Sequence, residues 1–232
     1  MFTLERSQSK TYFDWYLMKR VTFITGYYGS GKTEVALNLA IQKKVNTIVD
    51  LDIINPYFRT REMEDFLREQ GIETISSDVD SKMHLDMPYI SKKVYNPLYN
   101  EDKRVIYDLG GNDQGAKLMR QFDDYKDIDS DLFIVVNIFR METDHEDKII
   151  QLINRIQGTS GYQVTGLINN SNLLKDTQID DVIEGQKILE KVSEKMNIPI
   201  VYTSYWDELN DDDLHVSNET LKIKLYFRKN WF

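Results

Sequence analysis

Residues 21 to 42 read VTFITGYYGSGKTEVALNLAIQ, and three kinds of segment follow one another without a break. Val21, Thr22, Phe23, Ile24 and Thr25 are β-branched or aromatic, and the run is short enough for a buried strand. From Thr33 to Gln42 the apolar residues fall at helical spacing. Val35, Leu39 and Gln42 share one side, with Ala36, Leu37, Ala40 and Ile41 close by, so the expected helix is buried over most of its surface. Between strand and helix, Gly26, Tyr27, Tyr28, Gly29, Ser30, Gly31, Lys32 and Thr33 satisfy the pattern G-x-x-x-x-G-K-[ST]. Such a loop turns its backbone N–H groups toward phosphate oxygens. Its lysine reaches the terminal phosphates, and its hydroxyl holds magnesium. The helix that follows adds unpaired N–H groups and a dipole favouring an anion. The expected nucleotide-binding set here is Gly26, Tyr28, Gly29, Ser30, Gly31, Lys32, Thr33 and Glu34, and the expected ligand is a nucleoside triphosphate with Mg2+.

The rest of the chain repeats this rhythm of short apolar runs and longer amphipathic ones. Strands are predicted at 21–25, 47–51, 73–75, 104–108, 132–138, 163–168 and 200–203. Helices are predicted at 33–42, 61–70, 116–125, 143–158 and 180–196. Alternation of this kind implies an α/β fold, a doubly wound, mostly parallel sheet in a three-layer α/β/α sandwich. Residues 18–232 read as one nucleotide-binding domain and 1–17 as a peripheral extension ahead of a second methionine, Met18. Residues 76–100 are the least regular, with Pro88 and Pro97. They suit a lid over the site or an ordinary crossover.

Composition narrows the function. The net charge of the 232 residues is -9, which argues against nucleic acid as a partner. There is no cysteine, so thiolate chemistry and disulfides are excluded, in keeping with a cytoplasmic setting. No apolar run is long enough to span a bilayer; the best, LFIVVNIF from 132, has strand length. His84, His145 and His215 are far apart and suggest no metal site. Asp78 and Asp80 lack a calcium-loop pattern and read as loop residues.

In a parallel sheet ligands bind at the carboxyl ends of strands, so those ends hold the remaining candidates. The second run ends V-D-L-D, placing Asp52, and after it Asp50, to orient water or serve magnesium. Arg59 and Arg61 follow and could bring positive charge to a triphosphate. The fourth runs into D-L-G-G: Asp108 suits a magnesium carboxylate, and Gly111 permits a close backbone approach to a γ-phosphate, with Asn112 and Asp113 beside it. The sixth ends in Asn169 and Asn170, whose amides match the donor–acceptor edge of adenine. No N-K-x-D run, the guanine signature, is present. Residues 204–208, SYWDE, could add base contacts. From Leu221 the chain alternates apolar with mostly basic residues, a pattern that suits an edge strand better than a membrane-surface helix.

Taken together, Gly26 to Thr33, Asp50, Asp52, Asn55, Asp108, Gly111, Asn169 and Asn170 resemble the SIMIBI class of P-loop NTPases, most closely its ParA/MinD/CobQ-like branch. The resemblance implies a doubly wound ATPase that often dimerises around nucleotide. Asp52 would lie near the attacking water, Thr33 and Asp108 on magnesium, and Asn170 on adenine. That branch often carries a second lysine after the loop's first glycine; here the residue is Tyr27. The expected function is a Mg2+-dependent ATP-binding switch with slow hydrolysis, in which Lys32 and Asp52 are the catalytic pair and Thr33, Asp52 and Asp108 the metal set. The expected partner is an unknown protein, a small-molecule substrate or a second copy. A small-molecule kinase or ligase, and a non-hydrolysing nucleotide sensor, are the alternatives.

Overall fold

Period-two alternation decides which way each strand faces. In β1 (Val21–Gly26), Phe23 enters one core with Val49, Tyr107 and Ile134, while its neighbour Ile24 enters the other with Ile48, Ile106 and Phe133. Both faces of the sheet are therefore buried, as continuous apolar strands require. The computed structural model describes residues 17–52, 61–76 and 90–226. Within them the elements after β1 are α1 (Lys32–Gln42), β2 (Thr47–Leu51), α2 (Arg61–Glu69), β3 (Glu73–Ser76), β4 (Val105–Leu109), α3 (Asn112–Leu118), β5 (Ser130–Val136), α4 (Glu146–Ser160), β6 (Gly166–Asn169), α5 (Ile179–Met196), β7 (Ile200–Trp206) and β8 (Glu219–Ile223).

The described strands form one sheet in the order β3-β2-β4-β1-β5-β6-β7-β8, and all of its pairings are parallel. Helices cover both faces. Val35, Leu39 and Leu67 of α1 and α2 fill one core; Ile149, Ile153, Leu189 and Val192 of α4 and α5 fill the other. This is the three-layer α/β/α fold typical of P-loop NTPases, its described strands all parallel where a mostly parallel sheet was expected. Each fully buried side chain contributes about 1.5–3 kcal/mol. Phe23 is central to one core: its ring stacks on Tyr107 at 4.9 Å and meets Phe122 edge-on at 5.3 Å.

The topology also fixes where a ligand can bind. The chain fills the sheet outward from β1 on one side through β4, β2 and β3, and on the other through β5 to β8. The order reverses between β1 and β5, so a crevice opens at the carboxyl ends there, where the glycine-rich loop sits.

Three local expectations are revised. The helix expected over 116–125 is α3 followed by a 3-10 helix, Met119–Tyr125. Three residues per turn bring Met119 and Phe122 onto the same buried side. The strand expected at 132–138 ends at Val136 because Asn137 turns the backbone: its Oδ1 accepts from Phe139 N at 3.0 Å. Residues 90–100, part of the suggested lid, lie at the opposite edge of the sheet from the loop. A 3-10 helix, Lys92–Tyr99, is held there by Arg20, the residue before β1, which donates to the carbonyls of Pro97, Leu98 and Asn100 at 3.0, 3.2 and 3.0 Å. Residues 77–89 lie outside the described residues. At the far end, β8 is an edge strand with Leu221 and Ile223 buried; residues 227–232 lie outside the described residues. No helix among the described residues is long and apolar enough to cross a membrane.

Candidate nucleotide site

The loop leaves β1 at Gly26 and turns through Ser30 N to Tyr27 O at 3.1 Å before α1 begins. Gly31 sits at φ +85°, a left-handed conformation that side-chain-bearing residues rarely adopt, and a Cβ there would overlap the Asn170 amide. Gly111 of the D-L-G-G run packs on the loop itself, where a Cβ would come to 3.0 Å from Tyr28 N. The glycines thus let two backbones meet and leave the first N–H groups of α1 pointing out of the loop.

The polar residues expected at the strand ends converge beside the loop. Asp50 and Asp108 are in register across β2 and β4 and therefore share a face. The Asp52 N–H donates to Asp50 Oδ1 at 3.0 Å, and Lys32 Nζ lies 3.5 Å from Asp52 Oδ2, both side chains being buried. The Thr33 hydroxyl donates to Asp108 Oδ2 at 2.7 Å. Burial pushes the Asp108 carboxyl up to about 7, reinforced by the Asp50 and Asp52 charges and opposed by Lys32 and the Thr33 hydroxyl. Its second oxygen, Oδ1, is buried without a hydrogen-bond partner.

That orphaned oxygen is the test of whether a magnesium ion fits. A hydroxyl whose proton is committed to Asp108 has only lone pairs left to offer, so Thr33 and Asp108 form a hard-oxygen pair. Among the described residues no three His, Cys, Asp or Glu side chains come together as a metal cage. Magnesium suits such a site, because it keeps water and substrate phosphate in its shell and takes few protein ligands.

Beside the loop, beyond β6, β7 and β8, lies a cleft lined by Gly31, Glu34, Asn172, Tyr205, Trp206 and Leu225 among others. Neither expected adenine-reading amide is free within it. Asn169 is fully buried; it donates to Val182 O at 3.0 Å and accepts from Ser171 N at 3.1 Å. Asn170 lines the cleft but donates to Ser30 O at 2.7 Å and accepts from the Ser204 hydroxyl. It braces the loop from below. Glu34 accepts from Tyr226 N at 3.1 Å, so its carboxylate ties the chain after β8 to the start of α1. Tyr205 and Trp206 stand in the cleft wall, Tyr205 with its hydroxyl on Asp211.

Some candidates fall elsewhere. Asn55 and Arg59 lie outside the described residues, as do the side chains of Arg61, Asn112 and Asp113. Tyr27, where a second lysine occurs in the resembling branch, packs against the core. Burial, and the Glu142 carboxylate beside it, push its hydroxyl pKa up. One residue that the motifs do not single out stands on the loop: Arg140, just after β5, donates from Nε to Gly29 O at 3.0 Å. Its signal is positional: β5 is the strand next to β1 at the reversal, and Arg140 follows its carboxyl end.

No protein-family profile matches the chain, and no curated protein matches it. Solved structures of similar shape include cell division protein FtsY from Thermotoga maritima, with 16% identity, TM-score 0.48, 78% of this chain and 60% of that one covered. FlhF complexed with GTP and Mg2+ gives 14% identity and TM-score 0.48, covering 79% of this chain and 64% of that one. HypB from Helicobacter pylori in complex with nickel gives 19% identity and TM-score 0.44, covering 78% and 77%. The chain spans between 55% and 65% of the length of the FtsY and FlhF structures it matches. A likeness this distant is one of general architecture, and the chemistry rests on this chain's own residues: a glycine loop, a lysine and paired carboxylates at the reversal point of a parallel sheet.

Proposed function

We propose that this chain is a Mg2+-dependent ATP-binding protein that hydrolyses ATP slowly and changes partner or conformation with its nucleotide. The observation that carries the reading is the Thr33–Asp108 pair at 2.7 Å with Asp108 Oδ1 left over, next to Lys32 and Asp52 at the mouth of the loop. Magnesium, when bound with the triphosphate, would neutralise charge on the β- and γ-oxygens. Thr33 and Asp108 would hold it, directly or through water, and Asp52 would serve its outer shell. Lys32 would exchange its ion pair with Asp52 for the terminal phosphates. That exchange frees Asp52 to accept a hydrogen bond from an attacking water, and the loop N–H groups would hold the phosphates in line. The work is positioning and electrostatics, with no covalent step on the protein.

The make-up of the cleft supports the choice of adenine over guanine in this reading. Guanine presents N1–H and N2–H donors that want a carboxylate. The carboxylate among the described lining residues, Glu34, is committed to Tyr226. Tyr28 is 59% exposed on the loop and Met141 80% exposed beside it, which supports a second copy or another protein docking over the nucleotide face.

The test is ATP and GTP binding with Mg2+, and phosphate release, for the wild type, Lys32→Ala and Asp52→Ala. ATP preference, loss of binding in Lys32→Ala, and binding without turnover in Asp52→Ala are expected. Wild type that binds ATP but releases phosphate only with a metabolite present would move the reading to a small-molecule kinase or ligase. Wild type that binds neither nucleotide would sink it.

A further inference from the structure

We propose that Arg140 is a phosphate-binding residue of the nucleotide site, a second cation supplied from the chain's own β5–α4 loop; the inference rests on the nucleotide reading above. The first observation is position. The Arg140 guanidinium lies on Gly29, close enough that a Cβ at that glycine would come within 3.3 Å of its Cζ and Nε, and it lines the same cleft as Gly31 and Asn170. Only Nε is spent, on Gly29 O at 3.0 Å. Among the described residues both Nη groups lack a hydrogen-bond partner and the guanidinium forms no ion pair. A cation that needed only to brace the loop would not require a fork of donors facing the cleft.

Preorganisation is the second observation. Arg140 sits in a doubly pinned turn: its N–H donates to Asn137 O at 3.2 Å, and Thr143 N donates to Arg140 O at 2.9 Å. The Thr143 hydroxyl donates to Asn137 O at 2.7 Å, and Asn137, itself buried, donates from Nδ2 to Asn172 O at 3.0 Å across to the β6 loop. The turn from Asn137 to Thr143 is therefore fixed against two neighbouring loops, and a long side chain is held over the phosphate loop with little freedom left to lose on binding.

Charge balance is the third. Lys32 is the cation within the loop, and Asp50, Asp52 and Asp108 lie around it. A triphosphate entering beside three carboxylates needs more positive charge than one lysine and one divalent ion provide. Arg140 reaches the loop from outside it.

The experiment is calorimetric titration of wild type, Arg140→Lys and Arg140→Gln with MgATP, MgADP and AMP, each at two salt concentrations, with circular dichroism and thermal melts confirming the fold. Arg140→Gln keeps a donor for Gly29 O and removes the charge. It is expected to weaken MgATP by roughly 10- to 100-fold, MgADP less and AMP least, with Arg140→Lys between. The fall of ATP affinity with added salt should also flatten, because a screened charge contact has gone. Equal losses for all three nucleotides with an unchanged salt response would overturn the proposal and leave Arg140 as a brace of the loop. Unchanged ATP affinity would overturn it too. Wild type that binds none of the nucleotides would instead bring down the reading beneath it.

Discussion

The two ends of the crevice are built on opposite plans. At the end proposed to take the phosphates, charged groups are buried together: Lys32, Asp50, Asp52 and Asp108 sit within the sheet's carboxyl edge and are each at most 6% exposed. At the other end, proposed for the nucleoside, Tyr205, Trp206, Ile223 and Leu225 share the wall with polar groups, most of which, Arg140 apart, are engaged by other protein groups. Helix α1 serves both. Its first turn faces the loop, while Glu34, Asn38 and Gln42, spaced four apart along one side, bond to the chain at Tyr226 N, Lys224 N and O, and Lys222 O. Four helical residues rise about 6 Å and two strand residues about 6.6 Å, so the spacings match and the helix acts as a further edge for β8. The phosphate end is thus held in tension by charge, and the nucleoside end is closed by hydrogen bonds to backbone, two of the three side chains being neutral amides.

Lys32→Ala should break this contrast most severely. It removes the phosphate contact, expected to cost about 100-fold or more in ATP affinity. It also strands buried carboxylates, so the nucleotide-free protein should lose about 3 kcal/mol in urea denaturation. A variant that lost binding with undiminished stability would show that the Lys32–Asp52 pair carries no structural load.

Asp108→Asn should act in the other direction on stability. Asp108 is raised from 3.8 to about 7 by burial, so folding takes up a proton between those values. The protonated acid's contribution is complete below the unfolded value and is lost as pH rises through about 7. In buffer without nucleotide or divalent cation, Asp108→Asn is therefore expected to raise the melting midpoint by roughly 4–8 °C at pH 8. Near pH 4 the gain should be small. An equal gain at both pH values would mean that Asp108 is not the titrating group.

At the nucleoside end, Asn38→Ala leaves the Lys224 peptide without its two partners at 2.9 Å. The expected cost is about 1–3 kcal/mol of stability, with the chain after β8 exchanging amide hydrogens faster. Protection at Lys224 and Tyr226 that matched wild type would show that β8 does not depend on α1.

The contrast also explains what could be read in the sequence. The phosphate end was legible because its chemistry is contiguous: Gly26 to Thr33 is one loop, and Asp52 and Asp108 each close a recognisable strand. The layer order followed from alternation alone. The other end was legible only in part: Asn170 and residues 204–208 were marked at their strand ends, but Arg140 and Leu225, which complete the wall from two further strand ends, carry no motif. No spacing links them, and only the sheet order brings them together. Asn169 and Asn170 show the same limit. An amide at a strand end suits a base edge, but whether it is free depends on Ser30, Val182 and Ser204, which lie far away in sequence. Helix 116–125 missed its 3-10 half because the Met119–Phe122 spacing fits either helix type until packing chooses.

Asn170→Ala makes the smallest and most discriminating change, since it asks which end of the crevice this residue serves. If Asn170 reads the base, the variant should lose its discrimination between ATP and GTP. The structure gives its Nδ2 to Ser30 O at 2.7 Å and its Oδ1 to the Ser204 hydroxyl, both protein groups. Removing it frees the carbonyl just before Gly31 and opens space beneath a loop that depends on a left-handed glycine. The phosphate grip should loosen by about fivefold for ATP and GTP alike, the worth of about 1 kcal/mol, while their ratio stays where it was. Competition binding of the two nucleotides to wild type and variant decides the matter. A changed ratio would return Asn170 to the base and make the nucleoside end, like the phosphate end, a place where side chains read the ligand directly.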